Sequence, residues 1–198
     1  MTEIADRGDQ VVSVFAPNRL PVEEAKAAEV ERVASAASAL MVVLYSNNWT
    51  RERLELPSAL DSARQSSQAA GYALKLLSAM QRPATCREVR EHLAILMGCL
   101  AGSKADAEVF GRMLVIDVGA LSPSIGALEA ACRNLRRTST FTPSIAEVLQ
   151  ALTEAEKQLT GARWRLEQLP RLIAEAESRL QQRLRADSQW AGADPCRA

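Results

Sequence analysis

A chain of 198 residues has room for one compact domain with an extension, and 47% hydrophobic with 24% charged residues excludes wholesale disorder. Thirty-four alanines against eight aromatic residues favour helix over strand, so the expected fold class is all-α. The 24 basic and 24 acidic side chains cancel, which excludes a uniformly basic nucleic-acid binder.

The sequence predicts a flexible N-terminal arm over 1–21, a small multi-helix domain over 22–143, a coiled-coil-like C-terminal helix or helical hairpin over 144–186, and a disordered tail over 187–198. The arm opens on MTEIADRGDQ, with three acids and one base where a secretory leader needs Lys or Arg before an apolar core. Its apolar run, Val11 to Ala16, is too short for that core. No stretch reaches the eighteen or so apolar residues of a membrane span, so no membrane association is expected. From Val22 to Ser46 an alanine-rich helix is expected, with Glu23, Glu24 and Glu29 complementing its N-terminal dipole. Asn47-Asn48 breaks it, and Pro57 is placed to open the next helix, which runs to about Met80. Leu60, Ala63, Ala70, Leu74, Leu77 and Tyr72 are assigned to its inner side.

Thr85-Cys-Arg-Glu88 has the form of a capping box, followed by Val89, Leu93, Leu96 and Leu100 on one stripe. Gly102-Ser103 ends that helix. The next, from about Ala105, is expected to carry Val109, Met113 and Ile116 into the core. Ser122-Pro123 then opens a helix that buries Leu128, Ala131, Cys132 and Leu135. No alternating strand pattern of useful length occurs.

The C-terminal segment has the strongest periodicity. Ile145, Val148, Leu152, Ala155, Leu159, Ala162, Leu166, Leu169, Ile173, Ala176 and Leu180 follow at alternating steps of three and four, a heptad seam of the kind that supercoils two helices. Gly161 weakens the helix by about 1 kcal/mol, and Pro170 by about 3 kcal/mol, enough to kink or break it. Two arrangements fit: a coiled coil or antiparallel hairpin broken near Pro170, with a homo-oligomer through 145–180, or an amphipathic helix packed on its own domain.

Enzyme signatures are missing. Gly98-Cys-Leu-Ala-Gly102-Ser-Lys104 has the wrong spacing and residue order for a phosphate loop. His92 is the only histidine, and no second His or nucleophile pattern accompanies it. Cys86, Cys99, Cys132 and Cys196 form no C-x-x-C pair, so no metal site or cofactor is expected. The first three sit in apolar helical contexts and read as small core residues. The expectation is a non-enzymatic, cytoplasmic protein with reduced thiols.

One segment carries a functional signal. Arg133, Arg136 and Arg137 form a basic knot at the end of a helix, Thr138-Ser-Thr-Phe-Thr142 forms a loop, and Pro143-Ser-Ile-Ala-Glu147 opens the next helix. Thr142, or Ser144 with Glu147, would cap that helix. The three arginines, Thr138, Ser144 and the helix N-terminal amides would then converge on an anion such as a nucleic-acid phosphate. Alternatively the arginines complement the C-terminal dipole of their own helix.

The run from about Ala105 through Leu152 resembles a segment of prophage-borne helical proteins. Its Arg-Arg-Thr-Ser-Thr-Phe-Thr-Pro-Ser-Ile-Ala-Glu-Val core is similar to phage proteins that load or inhibit the replicative helicase. Phe141, Pro143, Ser144, Ile145, Ala146 and Glu147 carry the likeness, which covers a quarter of the chain. It implies a DNA-replication accessory role, with helical surfaces contacting a helicase or initiator and with weak DNA contact. In that pattern Phe141 plugs a core. A helical DNA-binding regulator and a coiled-coil assembly protein without a nucleic-acid role are the alternatives.

Overall fold

The computed structural model describes residues 20–46, 48–100 and 107–191, in six helices: α1 (Leu20–Leu44), α2 (Trp49–Met80), α3 (Cys86–Gly98), α4 (Ala107–Ala120), α5 (Ile125–Thr138) and α6 (Ile145–Ala191). Among the described residues there is no strand, only an isolated bridge between Pro83 and Ser124, so the protein is all-α. In α1, Val30, Val33, Ala34, Ala37, Leu40 and Leu44 recur at helical spacing and are buried. In α2 the inner side is Leu56, Leu60, Ala63, Ala73 and Leu77. Tyr72, expected inside, is exposed.

Both helix boundaries set by proline differ from the sequence expectation, for one reason. Helix α2 begins at Trp49, with Pro57 inside it, and α6 runs unbroken through Pro170. Each ring sits on the exposed side of its helix while neighbours stay buried: Leu56 and Leu60 in α2, Leu169 and Leu172 in α6. Each proline loses one backbone hydrogen bond, and the burial on either side outweighs that loss. The hairpin near Pro170 therefore does not form. The boundary at 21 moves as well, because α1 already includes Leu20 and Pro21; the rest of the expected arm lies outside the described residues. The tail expected from 187 is helical to Ala191, and 192–198 also lie outside. So do Gly102-Ser103, the expected end of α3; the helix ends at Gly98, with Cys99 as its cap.

The seam of α6 does not wait for a partner. Val148, Leu152, Ala155, Leu159, Ala162, Leu166, Leu169 and Ala176 are buried in one cluster with α1, α2 and α5, and Ile145, Ile173 and Leu180 pack against its edge. Of the two arrangements in the sequence, the amphipathic helix packed on its own domain is the one adopted. Residues 144–186 are a wall of the domain rather than a separate coiled coil. After Leu169 the seam slips by one residue, so that Leu172 is buried and Ile173 only half-buried.

Polar contacts set the helix directions. Arg179 donates to the Leu44 carbonyl at 2.6 Å and pairs with Glu175 at 2.8 Å and Glu52 at 3.5 Å. Arg183 pairs with Glu52 at 2.6 Å, and the Tyr45 hydroxyl donates to Glu175 at 2.9 Å. The end of α1, the start of α2 and the far end of α6 are thus fastened together. At the opposite end, Arg163 of α6 donates to Gln81, just past α2, at 2.6 Å, so α2 and α6 run antiparallel. Helix α5 folds back on α6, and α3 with α4 lies on the outer side of α5.

The turns before α3 and α5 brace each other. Ala84 N–H donates to the Pro123 carbonyl at 2.8 Å and Ile125 N–H to the Arg82 carbonyl at 2.9 Å. Ser124, not Ser122, is the N-cap of α5, and its own N–H donates to Glu156 of α6 at 2.6 Å. Ahead of α3 the capping box forms as the sequence predicts, with Thr85 and Glu88 each accepting from the other's backbone N–H. Arg82 clamps the same carboxylate. That guanidinium, with the Thr85 amide, holds the Glu88 carboxyl down at about 2, below its usual 4.5. A depressed folded-state value means that this stabilisation is complete above about 4.5 and is lost as pH falls toward about 2. The wild type should melt above Glu88→Gln at pH 7, and the two melting temperatures should converge by pH 2. A gap that is constant across that range would show that ionised Glu88 contributes nothing.

Candidate functional site

The turn from α5 to α6 brings together fewer of the expected residues than their spacing suggests. Arg133 and Arg137 are one turn apart on α5, and both reach Glu24 of α1, at 3.6 and 3.2 Å. Arg136 is half-buried toward α3, where its charge acts on His92 and Cys132. The spacing of three and four keeps the arginines within one half of the helix surface, but two of them already face a carboxylate. Thr138 turns its hydroxyl back to the Asn134 carbonyl at 2.9 Å.

The N-terminus of α6 is similarly committed. Ser144 and Glu147 form a capping box: Glu147 N–H donates to the Ser144 hydroxyl at 3.3 Å, while Ser144 N–H and hydroxyl donate to the Glu147 carboxylate at 2.7 and 2.8 Å. These bonds hold the Glu147 carboxyl below its ordinary value. A carboxylate of the chain itself therefore stands where the phosphate was expected. Phe141 does not plug the core; it is 72% exposed, and Pro143 is the buried residue of the turn. The phosphate cradle of Arg133, Arg136, Arg137, Thr138 and Ser144 is not assembled. Between α5 and α6 a polar groove of about 320 Å³ remains, lined by Arg133, Arg137, Ala151, Glu154 and Gln158.

A titratable cluster lies between α3 and α5. His92 Nε2 lies 3.8 Å from Glu129, and burial, followed by the Arg136 charge, lowers its pKa. Burial pushes the Cys132 thiol up to about 11, which removes the thiolate needed for nucleophilic chemistry. Cys86 and Cys99, assigned to the core from their contexts, are exposed. Among the described residues no three His, Cys, Asp or Glu side chains are placed to hold a metal ion, and no helix is long and apolar enough to cross a membrane.

The larger concavity lies where the sequence predicts core. Between α3 and α4 an apolar groove of about 560 Å³ is lined by Leu93, Ala94, Met97, Gly111, Val115 and Ile116, with Arg90, Glu108 and Arg112 at its rim. Val109, Met113 and Ile116, assigned to the interior, are 66%, 49% and 62% exposed. Helix α4 carries two apolar stripes. Phe110, Leu114 and Val118 face inward, while Val109, Met113, Ile116 and Ala120 face out. Hydrophobic spacing alone fits either stripe, so only packing against α3 and α6 selects the inner one.

Comparison with known proteins returns no match to a family model, to a curated protein or to a solved structure.

Proposed function

We propose that this chain is a non-enzymatic accessory protein of phage-type DNA replication, which binds a replicative helicase or initiator through the apolar groove between α3 and α4. The observation that carries the reading is the groove itself: an open apolar concavity with a charged rim is what a partner's amphipathic helix fits. The α4 wall of the groove lies within the segment, Ala105 through Leu152, that resembles prophage-borne helical proteins, and the core of that segment, over 136–148, is similar to helicase loaders and inhibitors. The seam of α6 is occupied by α1, α2 and α5, which leaves the assembly-protein alternative without its free coiled coil. Helix α6, the one a DNA-reading regulator would use, is held in the core by the same contacts.

The test uses the purified full chain and the purified helicase without DNA. Ala94 is exposed on the groove wall, so Ala94→Glu places a carboxylate in the groove without entering the core. Calorimetry should show binding by the wild type and at least a tenfold loss in Ala94→Glu, with Arg133→Gln and Arg137→Gln close to wild type. DNA binding should be weak. Three arginines give a salt slope of at most about −3 on duplex DNA, and the single Glu24 carboxylate shared by two of them brings it toward about −2. Tight, sequence-specific DNA binding without helicase binding would hand the case to the regulator.

A further inference from the structure

We propose that the outer stripe of α4 is a self-association surface, on which a second copy of this chain packs its own α4 in parallel and in register. The stripe is Val109, Met113, Ile116 and Ala120, at steps of four, three and four, which is the seam of a two-stranded coiled coil. No helix among the described residues covers it: the three large residues are about half exposed or more, whereas the equally regular seam of α6 is buried. This proposal goes beyond the helicase-binding reading. It concerns the outward side of α4 and shares only Ile116 and Arg112 with the groove wall.

The charges beside the stripe select the occupant and its direction. Arg112 flanks the stripe on one side and Asp117 on the other, five residues later. Parallel in-register helices bring such positions together, so Arg112 of each copy meets Asp117 of the other, twice by symmetry. An antiparallel pair would set Arg112 against Gly119 and leave Asp117 against Phe110, without an ion pair. Arg112 is 75% exposed and, among the described residues, bridges to Glu108, one turn back on its own helix, at 2.5 Å. It can turn from that neighbour to the second copy without leaving a buried charge behind. Four seam residues per helix make a small interface, so the dimer should build up over roughly 1–100 μM rather than be obligate.

Sedimentation velocity on the full chain across that range should show the mass rise from one copy to two. Met113→Glu with Ile116→Glu, both at exposed positions, should weaken dimerisation at least tenfold with an unchanged circular dichroism spectrum. Arg112→Asp and Asp117→Arg should each weaken it, and the two together should restore it. Met113→Cys, in a chain whose four native cysteines are replaced, should cross-link to itself on mild oxidation. A single-copy mass at every concentration overturns the proposal. So does a dimer indifferent to the Met113→Glu, Ile116→Glu pair, or a Met113→Cys chain that cross-links to an Ile116→Cys chain in preference to itself. Helicase binding separates the two readings: Ala94→Glu removes it and spares the dimer, while Met113→Glu alone weakens the dimer and spares helicase binding.

Discussion

Leu166→Ala should lower the unfolding free energy by about 2–5 kcal/mol, and Leu166→Asp should abolish cooperative folding at 25 °C. Leu166 is 1% exposed, midway along the stripe by which α6 enters the common core with α1, α2 and α5. Removing its branched side chain costs the transfer energy of the lost groups and leaves a cavity that helices fixed by ion pairs at one end and by the Arg163–Gln81 hydrogen bond at the other cannot close. An aspartate there must be buried unpaired or must splay the helices, and total stabilities of about 5–15 kcal/mol leave little margin for either. Urea unfolding followed at 222 nm measures this, with Thr160→Ala on the exposed side as the control expected within about 0.5 kcal/mol of wild type. A loss below about 1 kcal/mol in Leu166→Ala would mean that α6 is not docked along its middle.

Two glycines should respond to alanine with opposite signs. A Cβ at Gly126 would stand 2.8 Å from the Met80 Cβ and 3.0 Å from its carbonyl oxygen, with a Leu159 methyl at 3.3 Å. Alanine there gains about 1 kcal/mol of helix propensity, but it must push the end of α2 away from the start of α5. Overpacking against backbone outweighs that gain, and Gly126→Ala should lose about 1–3 kcal/mol. Gly126→Val should lose more. At Gly161 a Cβ meets only the mobile end of Arg165, at 3.6 Å. Gly161→Ala should therefore stabilise the protein by up to about 1 kcal/mol. Thermal melts of the two alanine variants side by side decide the matter, and equal shifts would refute the close approach at Gly126.

Local chemistry was legible in the sequence wherever a few neighbouring residues decide it. Thr85 with Glu88 and Ser144 with Glu147 form the capping boxes that their spacing announces, and the stripe of α6 is buried nearly as written. The misreadings share a different origin. Pro57 and Pro170 continue their helices because packing by residues remote in sequence compensates each lost hydrogen bond. Glu24 lies more than a hundred residues before Arg133 and Arg137, so nothing near the basic knot signals that it is partly neutralised. In α4 both stripes satisfy helical spacing, and which one faces water depends on the neighbours that α3 and α6 supply. The candidate surface was hidden for that reason: its residues look like core.

The length of α6 also bears on how the protein is made. Helices α1 and α2 can pair as soon as both have been synthesised, but Val33, Leu40, Leu60 and Leu77 belong to a cluster that α6 completes. About 90 further residues must be translated between the end of α2 and Leu172. At roughly 5–20 residues per second, the nascent hairpin stands with an uncovered apolar side for about 5–18 s. Ribosome-associated chaperones meet the chain in that interval, and slowing translation between α2 and α6 should shift its yield from folded protein toward aggregate.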